Sequence, residues 1–444
     1  MSYQKKRVPV LALGLMLFAL FFGAANLIFP PFLGLQAGEQ VQSAILGFLI
    51  TGVGLPLLAI VAVVQSGEYE LEKLAGRVHP IFGVAFTVAL YLSIGPLFAI
   101  PRTATVSYEI GIMPFIGEAS DTTKAVLLFC SSAVFFGIAC FLALSPSKLV
   151  DRIGKILTPL LLLAIAGLIA AAIISPLGGE EAVLPAAQAD YASQAMVKGF
   201  LEGYNTMDAL AALVFVVIVI NAIKAFDVQD SLLVSQLAFK AALIAAFCLA
   251  TVYYFISLLG AASVHLGMEM KNGAQILAAV TQHYFGLAGK IVLAGIVLLA
   301  CLTTAVGLIS ACASYFTQLY PRLSYRQYAY LFTLVSLILA NKGLNGIIAF
   351  SIPVLVLLYP LTIVLVALLL LDKLFAGKTH VYALTMFITL VFALMDSYQV
   401  SFGFSDVLKQ WLSENLPLYQ YGLAWLPPAF IVFVISALIP RNHR

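Results

Sequence analysis

Leu20-Phe21-Phe22-Gly23-Ala24-Ala25-Asn26-Leu27-Ile28-Phe29-Pro30-Pro31 is the stretch that decides how this chain folds. It lies within an apolar segment running from Val8 to about Leu35, long enough to cross a bilayer as a helix. A glycine, two alanines, an asparagine and two adjacent prolines interrupt the middle of that segment. Unpaired backbone N–H and C=O groups are costly in hydrocarbon, so a break there survives only inside protein or against a cavity. Two readings are open: a simple proline kink, or a discontinuous helix of the kind transporters place at their substrate site. The second is the expectation taken forward.

The composition around this stretch sets the class. The 444-residue chain is 62% hydrophobic and 10% charged, with a mean hydropathy of +1.06. Apolar stretches of about 20 residues recur along the whole sequence, which identifies an all-α polytopic membrane protein and excludes a soluble domain. The net charge of +3 is spread over loops and offers no surface for nucleic acid. Cys130, Cys140, Cys248, Cys301 and Cys312 sit in apolar segments without metal-ligand spacing and read as small buried hydrophobes. Lys5-Lys6-Arg7 before an apolar run looks like the start of a secretory leader, but further spans follow, so the run counts as the first span.

The chain reads as one transmembrane domain, 1–444, with about twelve spans. They fall near 9–36, 42–64, 80–101, 125–143, 153–175, 190–223, 239–263, 289–318, 326–340, 346–371, 381–396 and 423–440. An even number puts both termini on one side. About 16 Lys and Arg fall on that side and about 7 opposite, which makes it the cytoplasm. The basic inside loops include Lys148, Arg152 and Lys155 around Asp151, then Arg322 and Arg326, and the tail from Arg441 to Arg444.

The sixth segment, Asp190 to Lys224, is too long for one straight span, and its middle from Gly199 to Asp208 is polar and glycine-punctuated. Either two half-helices join near Gly203 to Asp208, or a surface helix ends at Gly203 before an ordinary span. The first and sixth segments each open a group of five, 9–175 and 190–371, with two further helices over 381–440. The groups enter the membrane from opposite sides. Two inverted groups that each begin with a broken helix are a transporter pattern.

The breaks carry candidate chemistry. The inner half of the first segment ends near Phe22 with exposed carbonyls, and the outer half starts after Asn26, a favourable N-cap, with free N–H groups. The carbonyls suit a Na⁺ ion; the amides of Gly23, Ala24, Ala25 and Asn26 suit a carboxylate. Pro30 and Pro31 then fall near the first turn of the outer half, where a missing N–H costs least. Ala300, Thr303 and Thr304 share one face of the eighth segment and offer a carbonyl and two hydroxyls. They form a cation site or, in the other reading, the hydroxyls bond back to carbonyls one turn earlier.

Pro96 and Pro101, with Tyr91 and Ser93 a turn earlier, suggest a bent third helix near a cavity, which makes Tyr91 a candidate substrate contact. Arg102 reads as an interface residue near the outer surface, a partner for Glu109, or part of an outer gate. Asp208 either couples transport to a cation or proton or caps the inner half of the sixth helix, while Glu202 belongs at a wetter depth. Enzyme chemistry finds no footing: the five histidines lie in loops or at segment edges without paired ligand spacing. The nearest phosphate-loop match, ending Gly289-Lys290, has Tyr284 in place of its first glycine and Ile291 where Ser or Thr belongs.

Longer stretches carry a family likeness. They are Phe18 to Pro31 with Leu33 to Gly38, Gly95 to Thr103 with Val106 to Glu109, Gly203-Tyr204 with Thr206 to Leu213, and Asn221 to Lys224. The chain resembles, over essentially its whole length, the bacterial branched-chain amino acid carrier II family of leucine/isoleucine/valine:cation symporters. The resemblance implies uptake of Leu, Ile and Val across the bacterial cytoplasmic membrane, coupled to Na⁺ or, in some members, H⁺. It also implies the LeuT-type fold, a 5+5 inverted repeat with helices 1 and 6 broken. Within that fold it points to Ala19, Phe22, Ala300, Thr303 and Thr304 for a Na⁺ site. The substrate carboxylate would rest on Gly23 to Asn26 and its amino group near Gly203, Tyr204, Asn205 and Thr206. No cofactor beyond the coupling ion and no obligate protein partner is expected. The alternatives are a symporter for another small neutral solute and, from a different class, a passive channel.

Overall fold

The computed structural model describes residues 9–439 except 118, 145–147, 180–182 and 229, and leaves out the side chains of 148–158 and 189. Lys5, Lys6, Arg7 and the tail from Arg441 to Arg444 lie outside the described residues, as do the side chains of Lys148, Asp151, Arg152 and Lys155. Every one of the apolar stretches read from the sequence is helical, and no strand occurs among the described residues.

The first segment is two helices, α1 (Val10–Phe21) and α2 (Ala24–Ala37), separated by Phe22 and an extended Gly23 at φ −116°, ψ −164°. The outer half therefore begins at Ala24, earlier than expected, and Asn26 is its third residue instead of its N-cap. Asn26 still caps, because its side-chain Oδ1 reaches back to accept the Gly23 N–H at 2.9 Å. Pro30 and Pro31 consequently sit in the helix interior and not in its first turn. They deprive the carbonyls of Asn26 and Leu27 of their usual donors.

α3 (41–66) follows, with a π turn at Ile50–Gly54. The third segment is broken as well, into α4 (Pro80–Leu92) and α5 (Ala99–Gly111), where Gly95 leaves the helical region at φ −101°, ψ −125°. Then come α6 (Asp121–Leu144) and α7 (Lys148–Ile174). The sixth segment is α8 (Ala189–Glu202), a 3₁₀ turn over Gly203–Thr206, and α9 (Asp208–Lys224), bent by 44°. The joint is Met207 in a left-handed conformation (φ 60°, ψ 13°), seldom adopted by a non-glycine residue. The two-half-helix reading describes this segment.

The remaining helices are α10 (Ser231–Ala262), α11 (Gly273–Leu319, bent at Gly286), α12 (Tyr325–Ala340), α13 (Gly343–Leu370), α14 (Thr379–Phe402), α15 (Asp406–Asn415) and α16 (Leu426–Leu438). Seven helices are long and apolar enough to cross a bilayer, or eight with the bent pair, among the described residues. Val10–Phe21, Pro159–Ile174 and Leu426–Leu438 are apolar but shorter. The 12 residues of α1 reach only about 18 Å at ~1.5 Å per residue, so a half-helix falls below any length test for a span.

Polarity is distributed as lipid demands. Phe141, Leu163 and Phe247 point outward at 69%, 69% and 73% exposure, whereas Asn26, Arg102 and Asp208 are buried at 1%, 1% and 3%. Cys140, Cys301 and Cys312 are buried as expected, while Cys130 is exposed on α6. Glycines set the closest crossings. Where α2 crosses α10, Gly34 abuts the Ser257 carbonyl and Gly260 the Pro31 carbonyl. Where α3 crosses α8, Gly47 abuts the Met196 carbonyl and Gly199 the Ala44 carbonyl. A Cβ at any of these would enter the partner backbone, and small residues are what permit such approach between membrane helices. One half of each broken helix, α2 and α8, is thereby pinned.

Candidate functional site

Both breaks face one small cavity of about 60 Å³. Gly23, Ala24, Ala25 and Asn26 line it from the first break, Thr206, Met207 and Asp208 from the sixth, with Arg102 and Thr304 beside them. Ile94, Ala211, Phe215 and Leu308 supply its apolar wall.

Asn26 ties the breaks together. Its Nδ2 donates to Asp208 Oδ2 at 2.7 Å and also reaches the Tyr253 hydroxyl, which itself donates to Asp208 Oδ2 at 3.0 Å. Its Oδ1 holds the Gly23 N–H, which in an unbroken helix would close onto the Ala19 carbonyl. One side chain thus joins α2, α9 and α10 and frees a carbonyl at the end of α1. Asp208 is the first residue of α9, where the positive end of the helix favours a carboxylate. Its side chain accepts from Asn26 and Tyr253 instead of capping the helix, and it enters no ion pair among the described residues.

Arg102 is not an interface residue. The sequence places the end of the third span near 101, but α5 continues to Gly111 and carries Arg102 into the interior. Pro101 marks no helix end; in the first turn of α5 its missing N–H costs no intrahelical bond. The guanidinium donates through Nη1 to the Asn205 carbonyl at 2.7 Å and through Nη2 to the Ser351 hydroxyl at 3.2 Å, and lies 5.0 Å from the Phe29 ring centre. Glu109, the partner considered for it, accepts instead from Gln275 at 3.3 Å. Phe29 and Asn205 line a larger cavity of about 480 Å³ together with Glu202. Arg102, Phe29 and Asn205 therefore form the layer between that larger cavity and the break-lined one.

Several candidates lie elsewhere. Tyr91 stacks on Tyr315 at 4.2 Å, its carbonyl accepts from Cys312, and it does not line the central cavity. The bend expected of this segment is present at Gly95, but it turns Tyr91 onto Tyr315 and away from the central cavity. Gly203 packs on Thr51, Tyr204 stacks on Tyr359 at 4.2 Å, and the Asn205 amide donates to Glu202 at 2.9 Å. Of the four residues named at the second break, only Thr206 lines the central cavity.

Thr303 and Thr304 both donate to the Ala300 carbonyl, at 2.9 and 3.0 Å. That is the back-bonding alternative, yet each hydroxyl oxygen keeps lone pairs free to accept or ligate. Thr304 reaches the cavity; Ala19, Phe22, Ala300 and Thr303 are not in its lining, and the Phe22 ring stacks on Phe18. Tyr253 and Ser351 went unrecognised in the sequence. Each offers the same weak signal, a hydroxyl within a long apolar segment.

An all-helical bundle whose discontinuous first and sixth helices meet at one buried polar site has the LeuT-type fold. The comparisons agree. The chain matches the family described as "Branched-chain amino acid transport protein" over residues 6–443, and it belongs to that family. It is 46% identical over 440 residues to the branched-chain amino acid permease BraB of Bacillus subtilis (strain 168), covering 98% of this chain and 97% of the relative. It is 41% identical over 441 residues to the branched-chain amino acid permease BrnQ of Escherichia coli (strain K12), covering 99% and 98%. Among solved structures it is similar to MhsT in complex with L-phenylalanine (TM-score 0.59, 18% identity, 95% and 97% covered). It is also similar to Mhp1, a nucleobase-cation-symport-1 family transporter, in a closed conformation with bromovinylhydantoin bound (TM-score 0.58, 15% identity, 98% and 92% covered). These two likenesses concern the fold. The relatives are permeases, and this chain is a multi-pass transporter rather than an enzyme.

Proposed function

We propose that the protein imports leucine, isoleucine and valine by alternating access, in symport with Na⁺. The observation that carries this is the Asn26–Asp208–Tyr253 network, which binds both helix breaks around one cavity. Backbone amides at the start of α2 would hold the substrate carboxylate. The apolar wall of Ile94, Ala211, Phe215 and Leu308 would take an aliphatic side chain. One methylene discriminates by only about 1–3 kcal/mol, so the three branched substrates should share the site. At about 60 Å³ the cavity is far below the ~300 Å³ of an ordinary small-molecule pocket, so entry requires movement. The Arg102–Asn205–Phe29 layer is the outer gate in this reading. The reading further includes twelve crossings, the repeats 9–175 and 190–371, both termini in the cytoplasm and a bacterial cytoplasmic membrane.

Unlabelled isoleucine and valine, each in tenfold excess, are expected to suppress radiolabelled leucine uptake, and alanine or uracil in the same excess to leave it largely intact. Suppression by alanine or uracil alone moves the substrate to another small solute. For the cation, the proposed ligands are carbonyls of Ala19, Phe22 and Ala300 and the hydroxyls of Thr303 and Thr304. The double variant Thr303→Ala/Thr304→Ala is expected to lose Na⁺ stimulation of uptake by about tenfold or more at normal surface expression. Full Na⁺ stimulation in that variant removes the site.

A second reading has its own observation. The threonine hydroxyls already donate to Ala300, and Asp208 is a buried carboxyl without an ion-pair partner among the described residues. Such a group is suited to carry a proton, which would make the coupling ion H⁺.

A further inference from the structure

A second large cavity, of about 440 Å³, lies between α8, α13, α14 and the turn at Tyr419–Tyr421. It shares no lining residue with the cavity at the breaks, but it adjoins the cavity of about 480 Å³, sharing Lys198, Glu202, Asn205 and Ile352 with it. One wall is aliphatic, built from Leu201, Ile352, Leu355 and Val356. The other is polar: Asp396 and Gln399, one helical turn apart on α14, with Tyr419 and Glu202.

Asp396 is 7% exposed, and among the described residues its Oδ2 has no hydrogen-bond partner and its carboxylate no ion pair. Gln399 Oε1 and the Tyr204 and Tyr419 hydroxyls are likewise without partners. Burial and then the Asp396 carboxylate raise the Tyr419 hydroxyl above its ordinary pKa, as expected of neighbours. Lys198, on the rim, is held by Asp190 at 3.4 Å. A desolvated carboxylate without a donor is expensive in a membrane helix, and each orphaned oxygen on this wall can accept. The unmet demand is for a cation that brings several N–H donors.

We propose that this cavity binds an aliphatic ammonium ligand, with its head on Asp396, Gln399 and Tyr419 and its hydrocarbon tail on the aliphatic wall. A bare inorganic ion wants a close cage of about six oxygens, whereas this cavity is roomy and half apolar. An ammonium group has three donors for the three acceptors. α8 is the outer half of the broken sixth helix, so an occupant tethers that half to α14 and meets the Arg102–Asn205–Phe29 layer at Asn205, outside the cavity at the breaks.

The test titrates 3-methylbutylamine, which is protonated at neutral pH and lacks a carboxylate, into the full-length protein in lipid nanodiscs. The emission of Trp411 and Trp425, the chain's two tryptophans, reports binding because both flank the turn at Tyr419–Tyr421. The expected result is a saturable change that leucine does not displace. Asp396→Asn and, separately, Gln399→Leu should each weaken it, by about tenfold or more for the charge-removing change. Should Asp396→Asn fail to fold, Gln399→Leu carries the test. Unaltered affinity in the folded variants, displacement by leucine, or no saturable change overturns the proposal. So does an Asp396-dependent response to NaCl that the amine does not share, which assigns an inorganic ion instead.

Discussion

Asn26→Ala is expected to lower leucine uptake in proteoliposomes by about a hundredfold or more, because one side chain satisfies groups on three helices. The variant leaves the Gly23 N–H free to close onto Ala19, which heals the break that exposes the end of α1. It also strips a donor from the buried Asp208 carboxylate, and each orphaned buried group costs about 1–3 kcal/mol. Asn26→Asp separates these contributions. It keeps an acceptor for Gly23 but removes the amide donor and sets a second carboxylate against Asp208, so uptake should fall at least as far. Initial rates normalised to surface protein check this. Near-normal uptake in either variant means that the network is only structural.

Gly260→Val is expected to prevent assembly of the outer half of the bundle. A Cβ at this position enters the Pro31 carbonyl, while Gly34 on α2 is already against the Ser257 carbonyl of α10. Neither side can yield by changing a rotamer, since both contacts are with backbone. Overpacking of this sort costs about 1–3 kcal/mol, and more where only backbone can yield. The thermal midpoint of the detergent-solubilised protein, followed by size-exclusion chromatography after heating, should drop by several degrees, or the monodisperse peak should vanish. Gly137→Val on α6, where a Cβ meets open space, should leave the midpoint within about 2 °C. Equal behaviour of the two variants contradicts the glycine crossing.

Local chemistry explains how much could be read in advance. Gly23 in a span and the polar run before Asp208 announce breaks, because unpaired backbone in lipid has few tolerable settings. Apolar length located the helices but not all their ends: the third segment runs on to Gly111, and the helix carrying Thr303 and Thr304 starts at Gly273. Arg102 reads as a surface residue because the apolar run ends at Pro101, whereas the helix continues to Gly111 and keeps Arg102 and its polar neighbours buried. Asn26 reads as an N-cap because capping preference is local; in the fold it is the third helical residue, and its amide meets Asp208 and Tyr253. Those partners are 182 and 227 residues away, beyond the reach of any spacing argument. The same holds for Ser351, which meets Arg102 across 249 residues.

Leucine accumulation in sealed proteoliposomes, with an inward Na⁺ gradient at equal pH on both sides, tests Na⁺-coupled symport most directly. The account predicts accumulation above the external concentration, abolished when the Na⁺ gradient is collapsed. Uptake that only equilibrates across the membrane, or that concentrates leucine under a pH gradient and not under Na⁺, would contradict it.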